Sequence, residues 1–179
     1  LAKQHKLNKV FIHGIADGRD VPEKSLEKYT RKIENFCQKE KIGQLATLIG
    51  RYYAMDRDRN WQRTKKAYDL FTTGIGQRHP NSHSAIAEAY RQKVESDYYI
   101  KPVLLNQNGL IENKDALIFF NFRTDRARQI TEAFVNPAFD KFPTKIKINF
   151  VAFGPYTKLA PVAFNTPKIK QNLAEIFAQ

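Results

Sequence analysis

Cysteine is nearly missing: Cys37 is the single thiol in 179 residues. One thiol excludes an internal disulfide framework and a Cys-based zinc site, and so sparing a use fits a reducing compartment. Long hydrophobic runs are missing too. The longest near the middle is Ala116–Phe120, far short of the roughly 20 residues that cross a bilayer. The chain opens Leu-Ala-Lys-Gln-His-Lys, with no start Met and no apolar signal-peptide core, so it is expected to begin inside a longer protein. No repeat of 20–50 residues and no low-complexity tract is visible. Gly74-Ile75-Gly76 lacks the third glycine of a dinucleotide fingerprint and follows a helical pattern, and no Gly-x-x-x-x-Gly-Lys-Ser/Thr loop occurs. Acidic residues are scarce: 18 Asp and Glu stand against 30 Lys and Arg, a net charge of +12. Such a surplus points to an anionic partner, or only to solubility, and the placement of the charge decides between them.

What is present is an alternation of strand-like and helix-like stretches. Lys9–His13 reads as a short strand closed by Gly14, and Leu45–Ile49 as a buried strand closed by Gly50. Val103–Leu105, Leu117–Phe122 and Lys147–Phe153 read as further strands, the last of them central. Helical spacing of apolar residues marks Ser25–Lys41, Trp61–Thr73 with Gly74 as its stop, Ser82–Glu95, Asp125–Phe134 and a short closing helix at Leu173–Phe177. Strand and helix in turn predict an α/β fold, a mainly parallel sheet with helices on its faces, as a single domain over residues 1–179. Ligands of such sheets sit beyond the carboxyl ends of the strands.

Those ends are where the arginines gather. Asp17-Gly18-Arg19-Asp20 follows the first strand. Arg51 through Arg59 follows the second, and residues 51–66 hold six Arg and Lys against two Asp. Arg123-Thr124-Asp125-Arg126-Ala127-Arg128 follows Leu117–Phe122. Arginine is chosen here although lysine abounds elsewhere, and its planar fork matches carboxylate or phosphate two bonds at a time. Arg123 and Arg126, three apart, share one face at a helix start, where backbone donors add to them. Internal Arg–Asp salt bridges that merely fix loops are the competing reading.

Other residues offer less. His13 on a strand reads as a satisfied structural histidine. His79 and His83 have metal-ligand spacing, but Pro80 interrupts it and no acidic or Cys partner is near. Cys37 lies among helical core positions, and no serine has a partner arrangement for a nucleophile. Tyr52, Tyr53 and Trp61 read equally as stacking platforms for RNA bases or as anchors from loop to core.

Asp17-Gly18-Arg19-Asp20, then Gly50-Arg51-Tyr52-Tyr53-Ala54-Met55-Asp56-Arg57-Asp58 with Trp61 and Arg63, then Phe120-Asn121-Phe122-Arg123-Thr124-Asp125-Arg126-Ala127-Arg128 resemble the cofactor-independent (2,3-bisphosphoglycerate-independent) phosphoglycerate mutases. The resemblance covers most of the chain, in order. It implies a two-domain enzyme. One domain resembles alkaline phosphatase and carries two manganese ions and a nucleophilic serine. The other, inserted into it, is an α/β phosphotransferase domain that binds the glycerate, and the present chain resembles most of that one. The metal-ligand and serine motifs do not occur here, and neither does the Gly-Gly-Val-His-Ser-His segment expected before residue 1; His13 stands in the wrong motif to replace it. Val21-Pro22-Glu23 departs from the family's usual Thr-Pro-Pro.

The resemblance implies substrate contacts at Arg19, Asp20, Arg51, Arg57, Arg123 and Arg126, with Asp20 as a catalytic proton acceptor. Arg51 and Arg57 would clamp the carboxylate, and Arg123 and Arg126 the phosphoryl group. It implies a cytoplasmic glycolytic isomerase acting on 2- and 3-phosphoglycerate, with manganese bound outside this chain and the missing phosphatase-like domain as partner. Neither membrane nor nucleic acid is expected to be bound. The alternative is a basic module that binds a polyanion such as RNA without catalysis.

Overall fold

The computed structural model describes residues 2–144 and 146–165. Strand β1 (Phe11–Ala16) leads through a turn into helix α1 (Leu26–Glu40), strand β2 (Gln44–Gly50) and the short helix α2 (Arg51–Ala54). Helix α3 (Trp61–Thr73), strand β3 (Gln77–Arg78), helix α4 (Ser82–Arg91) and strand β4 (Val103–Leu104) follow. Strand β5 (Ala116–Phe119), helix α5 (Arg128–Val135) and strand β6 (Asn149–Ala152) complete the described elements. Leu173–Phe177, expected as a closing helix, lies outside the described residues.

A four-stranded sheet runs β1-β2-β4-β3, and β5 and β6 form a separate parallel pair. Three of the four ladders are parallel; β2 with β4 is the antiparallel one. Successive residues of β2 point to opposite faces. Leu48 joins Leu26, Ile86 and Val103 on the side of α1 and α4, while Ile49 joins Leu70, Phe71, Ile130 and Phe150 on the side of α3 and α5. The sheet is thus covered on both faces, as the unbroken apolar run of β2 requires.

Several boundaries differ from the sequence pattern for identifiable reasons. β1 continues through Gly14 to Ala16, because the bare glycine lets the Leu48 side chain close in; a Cβ there would lie 2.6 Å from it. α4 ends at Arg91, since Lys93 adopts a left-handed φ of 57° and turns the chain back. β5 stops at Phe119, and α5 begins only at Arg128. β6 pairs with β5, not with the larger sheet, so it is not a central strand. Helix α1 carries no side-chain cap of its own. The buried Asp97 carboxylate accepts the N–H groups of Ser25 and Leu26, both at 2.7 Å, and so satisfies the orphan donors of the first turn. Among the described residues no helix is long and apolar enough to cross a membrane.

Candidate active site

The turn after β1 is built by Asp17. Its Oδ1 accepts the backbone N–H of Arg19 and of Asp20, both at 3.2 Å, closing an Asx-type turn. Gly18 sits inside that turn at φ 60°, where a Cβ would come within 2.3 Å of Ser96 Oγ. The same Ser96 hydroxyl donates to the Gly18 carbonyl at 2.6 Å. The turn is therefore clamped from beneath, and Arg19 and Asp20 project from it exposed.

Arg51, at the end of β2, is buried at 3% exposure. Its Nη1 donates to Asp17 and, at 2.9 Å, to Asp20 Oδ2. Arg123, arriving from the end of β5, donates Nη1 to the same Asp20 oxygen at 3.0 Å. One carboxylate thus gathers arginines from two other strand ends. The hydrogen bond from Arg51, together with the charges of Arg51, Arg123 and Arg19, holds the Asp20 carboxyl below the ordinary range and keeps it ionised. Burial pushes the Arg51 guanidinium down, but the bonds to Asp20 and Asp17 outweigh that and leave it raised.

Arg57 and Arg126 form the neighbouring part of the site. Arg57 Nη1 donates to Asp125 Oδ2 at 2.6 Å, a half-exposed pair that pulls the Asp125 carboxyl down. Arg126 is buried and donates to the Met55 carbonyl at 3.2 Å. The loop carrying Arg57 winds around the buried Asp56. Its Oδ1 accepts the N–H groups of Asp58 and Asn60 at 3.0 Å, and its Oδ2 accepts Asn60 Nδ2 at 2.9 Å and Arg63 Nη1 at 3.0 Å. Burial pushes the Asp56 carboxyl up; the bonds from Asn60, Asp58 and Gln129 prevail and lower it. The Arg63 guanidinium also lies 3.9 Å from the centre of the Tyr52 ring.

All six residues expected at the site are therefore placed in two adjoining groups, Arg19, Asp20, Arg51 and Arg123 in one and Arg57 and Arg126 in the other. Asp17 and Asp56 stand in the Arg/Asp clusters read from the sequence, as aspartates interleaved to hold arginines, whereas Ser96 and Gln129 were missed. Asp56-x-Asp58-x-Asn60 before a helix was a legible turn signal. Gln129 and Ser96 gave none, since their partners lie 65–78 residues away. His13, by contrast, is held by Thr47 Oγ1 at 2.9 Å and stacks edgewise on Phe71, apart from the arginines. Among the described residues no group of three or more His, Cys, Asp or Glu is arranged to hold a metal ion.

The guanidiniums of Arg51, Arg57 and Arg123 pair with the carboxylates of Asp17, Asp20 and Asp125, and Arg19 and Arg126 stand beside them without a carboxylate bond of their own among the described residues. The excess positive charge, in planar forks on different strand ends, suits a small ligand with more than one anionic group. Fold and site together define an α/β domain with an arginine–aspartate cluster at its strand ends. The family described as BPG-independent PGAM N-terminus matches residues 1–158, and the chain belongs to that family. It is 43% identical over its whole length to the 2,3-bisphosphoglycerate-independent phosphoglycerate mutase 1 of Methanosarcina acetivorans, covering 36% of that protein. It is 40% identical over 98% of its length to the 2,3-bisphosphoglycerate-independent phosphoglycerate mutase of Clostridium tetani, again covering 36%. The chain thus spans about a third of the length of these curated relatives. The crystal structure of Leishmania mexicana phosphoglycerate mutase shares the fold, with a TM-score of 0.85 at 24% identity over 95% of this chain and 34% of that one.

Proposed function

We propose that this chain is the substrate-binding phosphotransferase domain of a cytoplasmic, glycolytic phosphoglycerate mutase that interconverts 3-phosphoglycerate and 2-phosphoglycerate. The observation that carries this reading is the convergence of Arg51 and Arg123, from separate strand ends, on the Asp20 carboxylate. In the proposed reaction a serine on another domain of the longer protein takes the phosphoryl group from 3-phosphoglycerate. The glycerate then turns within the cleft, and its other hydroxyl recovers the phosphoryl group. Exposed Arg19, Arg57 and Arg123 offer forks to the carboxylate and to the moving phosphoryl group, whose developing charge Arg123 stabilises. Buried Arg51 and Arg126 act beneath them, the first holding Asp17 and Asp20, the second holding the Arg57 loop. Asp20, kept ionised, accepts a hydrogen bond from a glycerate hydroxyl, and its lowered pKa suits it to orient that hydroxyl more than to retain its proton. The two manganese ions expected of the family fit no residue group described here and belong, in this proposal, to the other domain; no step above runs through them.

Titration of 3-phosphoglycerate into the 15N-labelled chain tests the assignment, with inorganic phosphate and a short RNA as comparisons. Saturable shifts confined to the loops of Arg19, Arg51, Arg57 and Arg123, and weakened in Arg123→Ala, are expected. Shifts with RNA alone, vanishing steeply with salt, would make the chain a polyanion binder instead. In a full-length protein carrying this segment, Arg123→Ala is expected to lose about 2–4 kcal/mol of transition-state stabilisation; unchanged kcat and KM would remove Arg123 from the site.

A further inference from the structure

Two chain segments carry the outer part of the arginine cluster: the Arg51–Arg63 stretch, which carries Arg57, and the segment running from Arg123 into α5. One buried side chain stitches them together. Gln129, in the first turn of α5, is only 6% exposed. Its Oε1 accepts the backbone N–H of Arg59 at 2.7 Å. Its Nε2 donates to Asp56 Oδ1 at 3.1 Å and to Thr64 Oγ1 at 3.0 Å. Both amide N–H donors are used, and the orientation is dictated: the opposite one would set oxygen against the Asp56 carboxylate.

The bond to Arg59 is placed where the loop most needs support. Arg59 takes a left-handed φ of 62°, a conformation that is costly for a residue bearing a side chain and persists only where the surroundings enforce it. Asp56 and Gln129 supply that enforcement together: Asp56 accepts the N–H groups of Asp58 and Asn60 and Gln129 that of Arg59, so three successive amides just after Arg57 are held. The geometry points to Gln129 as a positioning residue that locks the Arg57 loop onto α5, so that exposed Arg57 meets an anionic ligand in a fixed place. The inference rests on the phosphoglycerate-binding function proposed above. Pre-organisation of this kind spares the ligand the ordering of the loop.

The test uses the 179-residue chain with Gln129→Leu and Gln129→Glu, and two readouts. The first needs no ligand: hydrogen exchange of the Arg59 amide and the Arg57 Nε–H signal. The second is the dissociation constant for 3-phosphoglycerate, against wild type at each pH. In Gln129→Leu the Arg59 amide exchanges faster, the Arg57 signal broadens, and 3-phosphoglycerate binds about tenfold more weakly, as expected for one or two lost bonds. In Gln129→Glu a second carboxylate faces Asp56, whose far oxygen is held by Arg63 on α3; Arg128 is the charge beside it on α5. At neutral pH this variant should behave like Gln129→Leu. On acidification the protonated glutamic acid regains one donor and one acceptor and restores both readouts towards wild type, which keeps the test intact if the leucine variant folds poorly. Normal Arg59 protection and normal affinity in both variants would overturn the inference, as would weakened binding with Arg59 still protected. Failure of the wild-type chain to bind 3-phosphoglycerate would instead count against the proposed substrate, while the Arg59 and Arg57 signals would still decide whether the clamp exists.

Discussion

At the scale of single residues, the chemistry-bearing side chains were more legible than those that hold them. Arginine at strand ends in a lysine-rich chain has a planar fork suited to carboxylate or phosphate, and all three Arg/Asp clusters meet in space. Arg51 differs in kind: it is buried, and its Nη1 bonds both Asp17 and Asp20, a pairing across more than 30 residues. His13 gives a residue-scale prediction. Burial lowers its pKa to about 4, against a small opposing pull from Asp115. The unfolded chain takes up this proton near pH 6.5 and the folded chain does not, so stability falls as the pH drops between those values. The loss approaches about 3 kcal/mol at about 1.4 kcal/mol per pH unit. Denaturant unfolding of wild type and His13→Asn from pH 7.5 to 4.5 measures it. The wild-type curve should fall more steeply below pH 6.5, and a gap between the two that stays constant with pH would contradict the assignment.

At the scale of elements, α3 was legible to the residue, because its apolar spacing and its closing glycine are both local. The start of α1 was legible only in position. Ser25 stands where a capping side chain belongs, yet the cap is Asp97, 72 residues away. Its other oxygen accepts the Tyr90 hydroxyl at 2.7 Å, and burial with that bond pushes the Tyr90 phenol up, keeping it a neutral donor. Asp97 therefore ties α1 to α4, while its own N–H donates to Glu23 at 2.7 Å in the turn that follows Arg19 and Asp20. Asp97→Ala should leave buried donors without partners and cost about 2–4 kcal/mol. Thermal and urea unfolding check the magnitude, and amide exchange in the first turn of α1 should rise ahead of that in α3. Equal loosening of both helices would mean that Asp97 supports the core generally and is not the cap of α1.

At the scale of the whole molecule, the α/β alternation was legible, but the division of the strands into two sheets was not, because the strand order depends on pairings that no local periodicity encodes. The stretch Leu117–Phe122 reads as a strand of a sheet covered on its faces. In the structure Leu117 and Phe119 pack on the core, while Ile118, Phe120 and Phe122 are 65%, 72% and 82% exposed, with Phe153 and Phe164 packed together at 4.8 Å beyond. An apolar face of this kind on a chain of net charge +12 sets two forces against each other: like charge keeps molecules apart, and apolar contact draws them together. Salt weakens only the first, since the screening length falls from about 10 Å at 0.1 M to about 3 Å at 1 M. The isolated chain is therefore expected to be monomeric in dilute buffer and to self-associate as sodium chloride approaches 1 M, read by light scattering on a sizing column. Phe120→Ser with Phe122→Ser should remain monomeric across that range. Association of the double variant at the same salt concentration as wild type would move the sticky surface elsewhere, whereas a wild type monomeric at 1 M would show that the exposed aromatics bury too little area against one another to overcome the cost of pairing.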